Sequence, residues 1–116
     1  MAGEEMLLET GMGVDLHGGD ATRAATRAVE DAVRRVSLLF LRTLSRRRRV
    51  RVDVEVHIGV PNPEGVDAAA VAAVLPVGRA SVACERGGLS LRLDSGEEVV
   101  IAVAAVVVRV EFADAG

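Results

Sequence analysis

Two histidines, one cysteine, seventeen carboxylates and fourteen arginines carry whatever chemistry this chain of 116 residues performs. Lysine, tyrosine, tryptophan and glutamine are absent. That removes a phosphate-binding Walker lysine, Schiff-base formation and tyrosine acid catalysis. The densest group of useful residues is Gly11-Met12-Gly13-Val14-Asp15-Leu16-His17-Gly18-Gly19-Asp20. His17 with Asp15 or Glu9 nearby has the composition of a general base and its orienting carboxylate, and Asp15 and His17 are the candidate catalytic residues. Gly18, Gly19 and Asp20 lead into a helix whose bare N–H groups attract anions, and Gly11 and Gly13 permit close approach. Together with His57 they form the candidate ligand-binding set. A purely structural role is the competing account, with the glycines serving packing and Asp15 and His17 locking a turn. The segment is no dinucleotide fingerprint, because Leu16 stands where a third glycine would be needed.

The remaining candidates are weaker. If the first two strands are neighbours, His57, Glu55 or Asp53 approaches Asp15 and His17, and such a set suits zinc or another divalent ion. The spacing fits no named motif, so a metal is an open but unfavoured expectation. An Arg51, Asp53, Glu55 row is more often a solvated face or a salt-bridged subunit contact. The run Arg46 to Arg49 has the charge to meet phosphates. The chain is nevertheless net −3 and has two aromatic residues, which gives bases little to stack on. Nucleic acid is therefore not expected as a partner. Cys84 alternates with Ala80 and Val82 on an apolar strand face and reads as a small core residue.

What positions these groups is legible from periodicity. Residues 6–17 alternate, with Met6, Leu8, Thr10, Met12, Val14 and Leu16 on one face and Glu9, Gly11, Gly13, Asp15 and His17 on the other, which predicts a strand. Asp20 is placed to cap a helix. From there Ala25, Val29, Ala32, Val36 and Leu39 recur at helical spacing, opposite a charged side. Residues 50–58 alternate strictly between Val or Ile and charged residues, a second strand ended by Pro61 and Pro63. Asp67 caps a short helix that closes at Pro76 and Gly78, with Val66 stapling against Val71. Residues 79–85 and 89–93 alternate around Gly87-Gly88, a hairpin turn or a bulge. Val99 to Phe112 reads as a long strand whose first half is covered on both faces. The order β-α-β-α-β-β makes one domain over residues 1–116, with 113–116 a frayed tail. Its class is α+β: a two-layer sandwich of one mixed sheet with two helices on one face.

The Gly11-x-Gly13-x-Asp15-x-His17-Gly18 pattern resembles the signature of a family of small bacterial and plant proteins of unknown function. Ile58-Gly59-Val60-Pro61, Val66-Asp67, Val74-Leu75-Pro76 and Gly87-Gly88-Leu89 follow in that family's order, so nearly the whole chain is covered. A departure is the stretch Leu38-Leu39-Phe40-Leu41, where the family usually has a polar turn. At the level of fold, the order is similar to chorismate-mutase-like domains that assemble as trimers. That resemblance implies a homo-oligomer, a trimer as first guess, and carries no mutase activity, because no catalytic motif of that enzyme can be placed here.

Oligomerisation is also expected on physical grounds. The sheet face without helices must be covered, and alternation suggests that it bears Glu9, Asp15, His17, the glycines and the Asp53, Glu55, His57 row. A small polar or anionic ligand near a subunit boundary is the expectation this supports, and whether a reaction follows is left open. The rival expectation is a non-catalytic assembly or interaction module. One cysteine offers no internal disulfide, the start of the chain lacks a basic signal region, and no apolar run reaches membrane-spanning length. A cytoplasmic location is expected.

Overall fold

A computed structural model describes residues 4–46, 50–76 and 78–112. The expected tail at 113–116, and Arg47, Arg48 and Arg49 of the arginine run, lie outside them. Strand β5 (Glu98–Phe112) organises the sheet. It is flanked by β1 (Glu4–Asp15) on one side and β2 (Val50–Val60) on the other, both antiparallel to it. Strand β3 (Arg79–Arg86) runs parallel along the far side of β2, giving the order β1-β5-β2-β3. Helix α1 (Ala21–Val33) packs on β1, β5 and β2, and the short α3 (Ala68–Ala72) packs beside it against β3. The expected two-layer α+β sandwich on one mixed sheet is what forms.

The core follows from the two periodicities. Strand β2 turns Val52, Val54, Val56, Ile58 and Val60 under the helices. Helix α1 answers with Ala24, Ala25, Ala28, Val29 and Ala32, all completely buried. Both helix caps expected from the sequence form. Asp20 accepts from the Arg23 N–H at 3.0 Å, and Asp67 accepts from the Ala69 and Ala70 N–H groups at 3.1 and 3.3 Å.

The helical stripe expected to continue to Leu39 stops earlier. At the end of α1 the hydrogen bonds tighten, from Arg35 N to Ala32 O and from Val36 N to Val33 O. Ser37 then accepts from the Phe40 N–H at 3.2 Å and starts a separate helix, α2 (Leu38–Arg46), against β2. A serine at that position offers the backbone a cap, and the cap wins over continuation.

The glycines of β1 explain how close the layers come. A Cβ on Gly11 would fall on the backbone of Ala28 and Ala32, and one on Gly13 on that of Ala24 and Ala28, with Arg27 C at 2.7 Å. Strand and helix backbones are thus in direct contact, which only glycine against alanine allows. Since directly paired residues share a face, Glu9, Gly11, Gly13 and Asp15 lie on the helix side together with Val106, Ala104, Ala102 and Val100. The expectation that these residues line the helix-free face is therefore overturned. Their absent side chains mark the most crowded contact in the fold.

A second group of glycines lets the chain change lanes. Gly87-Gly88 is no hairpin, because β3 pairs with β2 whereas β4 (Leu89–Arg92) pairs with β5. Strand β4 continues along β5 from Ile101, just beyond the point where β2 leaves it at Gly59 and Val103. Gly87 N donates to Val60 O at 3.1 Å, and a Cβ on Gly87 would lie 3.2 Å from Gly59 Cα. Gly88, at φ +66°, would drive one into Ile101 O. The crossing is passable only without side chains.

Gly13→Ala should lower stability by about 3 kcal/mol or more, the upper end of overpacking costs, because helix backbone must move. Gly18→Ala should cost only about 1 kcal/mol, since its φ of +85° is the sole objection and nothing lies within 4 Å. Urea unfolding midpoints of the two variants check both values and their order.

Candidate functional site

Asp15 ends β1 on the helix side and is 2% exposed. Its Oδ2 accepts from the Asp20 N–H at 2.8 Å, and its Oδ1 lies 3.6 Å from Arg23 Nη1 and 3.7 Å from Arg27 Nη1. Gly18 and Gly19, at φ +85° and +63°, turn the chain between Asp15 and the helix that Asp20 caps. The first turn of α1 thus meets two carboxylates of its own chain. Asp15 holds the loop, the helix start and two arginines together, which is a structural task.

His17 is not brought to Asp15. Its ring is 78% exposed, and Nδ1 pairs with Glu97 Oε2 near the start of β5. This bond holds the Glu97 carboxyl below its ordinary value, with the Ser95 hydroxyl assisting. His57 is elsewhere again: Nε2 lies 3.1 Å from Glu55 Oε1 on the open face of β2. Strand β5 separates β1 from β2, so the condition for one His17, His57 and carboxylate cluster is not met. Among the described residues no group of three or more His, Cys, Asp and Glu side chains stands close enough to hold a metal ion. Cys84 is half-buried, and burial pushes its thiol up from the ordinary value.

What the sequence reading missed is the character of the open face. Strand β1 presents Leu8 and Met12 there, 61% and 57% exposed, with Val103 of β5 opposite Met12 at 47%. Strand β4 adds Leu89 and Leu91, paired with Ile101 and Val99. The first half of β5, expected to be covered on both faces, is so covered only at Val99 and Val100; beyond them the open side reaches solvent at Val103. The signal was present as Leu8, Met12 and Leu16 in alternation. It pointed outward because the glycine face had taken the helix.

Beside this apolar area runs a charged strip. Asp53, 4% exposed, lies 3.2 Å from Arg51 Nε and 3.9 Å from Arg79 Nε. Glu55 accepts from Arg109 and also meets His57; these bonds, the arginine's first, hold its carboxyl below the ordinary value. Where strip and apolar area meet, Gly59, Gly87 and Ala105 floor an open depression of about 620 Å³, with Met12, His57 and Glu85 around it.

The edge strand β1 is closed from the side. Arg27 Nη1 donates to Val14 O at 2.6 Å, the Met12 N–H donates to Asp31 at 3.0 Å, and Arg35 Nη1 donates to Thr10 O at 2.7 Å. One helical stripe thereby satisfies three outward backbone groups of β1 and blocks strand addition there. The Met12 N–H also holds the Asp31 carboxyl below its ordinary value.

Asp15→Ala should cost about 1–3 kcal/mol by orphaning the Asp20 N–H, whereas His17→Ala, which loses only an exposed pairing with Glu97, should shift the urea midpoint far less. The pH dependence has a definite sign. Glu55 is lowered in the fold, so its contribution is complete above its ordinary value of 4.5 and fades as pH falls below that. Arg109→Ala should flatten this acid limb in a stability profile taken from neutral to acid pH.

Residues 5–108 match a family described as conserved hypothetical proteins, the Lin0512 family. Among curated proteins there is no match. A crystal structure similar to this fold is that of an FtsZ-like protein of unknown function from Nostoc punctiforme. It is 36% identical, with a TM-score of 0.73 over 93% of this chain and 96% of that one. The chain belongs to the Lin0512 family of conserved hypothetical proteins.

Proposed function

We propose that this protein is a self-assembling module whose helix-free sheet face is buried against other copies of itself. In this reading the Gly11–Asp20 segment is a structural element. The observation that carries it is the set of exposed Leu8, Met12, Val103, Leu89 and Leu91 sharing one face that is otherwise organised by ion pairs. Soluble monomers seldom leave such a patch in water, and large ones mark interaction surfaces. The neighbouring strip carries both signs of charge on Arg51, Asp53, Glu55 and Arg109, which suits a contact between identical surfaces. No helix among the described residues is long and apolar enough to cross a membrane, and the free thiol of Cys84 suits a reducing compartment, the cytoplasm.

A second reading rests on the depression at Gly59 and Ala105. Its volume falls in the range of small-molecule sites, and His57 and Glu85 are polar groups at its margin. A small polar ligand held there would lie at a subunit boundary once the face is covered. His57, from the expected ligand-binding set, belongs to this surface. Gly11 touches the depression by backbone only, its Cβ position being filled by α1.

Native mass spectrometry of the untagged protein separates these readings, with an oligomer expected. Val103→Arg should reduce the number of copies while leaving the circular dichroism spectrum unchanged, because its side chain is half in solvent. An unchanged copy number would sink the assembly reading. Extra mass that wild type retains and His57→Ala loses would favour the ligand.

A further inference from the structure

The two edges of the sheet are treated differently. Strand β1 is shielded by Arg27, Asp31 and Arg35, each bonded to its backbone. At the other end of the order, β3 has a strand neighbour on one side only among the described residues. Its eight residues are exposed except for the half-buried Val82 and Cys84. An edge strand of that length with no outer strand neighbour among the described residues is a template for another strand, and its sequence specifies which one.

We propose that β3 pairs antiparallel with β3 of a second copy across a two-fold axis through Val82. Antiparallel pairing about an axis perpendicular to the sheet keeps each face continuous only if paired residues share a face. Centred on Val82, Arg79 faces Glu85, Ala80 faces Cys84, and Ser81 faces Ala83, each pair occurring twice. Arg79 and Glu85 are both exposed on the open face, so this register makes two ion pairs between copies. Centring on Ser81 sets Arg79 against Ala83, and centring on Ala83 sets Arg86 against Ala80. Neither alternative joins opposite charges within the strand. The charge pattern thus selects both the partner, a second copy, and the register.

The contact uses none of Leu8, Met12 or Val103, although Arg79 and Glu85 stand on the same open face at its β3 end, so the two contacts adjoin and are told apart by their variants. It is also isologous, so it adds copies in pairs. A face-contacted trimer joined this way would be a hexamer.

The register can be read with one substitution. Ala80→Cys places a thiol opposite Cys84 of the partner. Within one chain these positions are about 13 Å apart along the strand and cannot bridge. In oxidised glutathione this variant should give a disulfide-linked dimer on a non-reducing gel. Wild type should not, and neither should Ser81→Cys, whose side chain leaves the opposite face. Independently, Glu85→Arg should remove the even-numbered species seen by native mass spectrometry, and Arg79→Glu/Glu85→Arg should restore them. An even-numbered species that persists in Val103→Arg but is lost in Glu85→Arg supports the edge contact alone. Loss in Val103→Arg with no response to Glu85→Arg overturns the edge contact and leaves the face reading standing. No cross-link with Ala80→Cys, equal cross-linking of the controls, or a purely trimeric protein would each overturn the proposal.

Discussion

The backbone-to-backbone contact between β1 and α1 is the constraint on which the rest of this structure depends. With Gly11 and Gly13 lying directly under Ala24, Ala28 and Ala32, the helix sits so near the strand that its arginines and Asp31 reach the strand's outer edge. The same closeness brings Arg23 and Arg27 to the buried Asp15. Dispersion gains accumulate over many short contacts, and polar groups buried alongside are hydrogen-bonded as their desolvation requires. One choice of residue size thus decides the interlayer spacing, the shielding of an edge and the fixing of the turn into the helix.

That choice has a converse. A strand has two faces, and assigning the glycine face to the helix sends Leu8 and Met12 to the other. The resulting open face combines an apolar area with paired charges, and at their junction the small residues Gly59, Gly87 and Ala105 leave a depression. These features are linked by topology. The depression lies where β2 gives up its place beside β5 to β4, a handover that itself requires glycine.

Most of the element pattern was legible in the sequence. The Val52 to Ile58 alternation, the Ala25, Val29, Ala32 stripe and the Asp20 and Asp67 caps were all read from local spacing, which needs no knowledge of the fold. What stayed hidden was relational. Periodicity says that Gly11 and Asp15 share a face with each other, but not which layer that face meets, and hydropathy points the wrong way when glycine packs best. The neighbour relation between β1 and β2 failed for the same reason, because β5 inserts between them and nothing local announces it. Asp15 and His17, close in sequence, were separated because one side chain ends the strand's inner face while the other enters an exposed turn.

The position of β5 in the chain has a consequence for how the protein comes into being. The strand that joins β1, β2 and β4 is the last of the strands in sequence order. Until its fifteen residues have left the ribosome, the only native strand pairing open to the described residues is the parallel one between β2 and β3. Parallel pairing is the weaker kind and closes a long loop, so it gives little holding power by itself. The chain therefore closes its sheet in a late, largely non-local step. Such a topology folds slowly, so the interval before β5 joins the sheet is when valine-rich strand edges are open to aggregation.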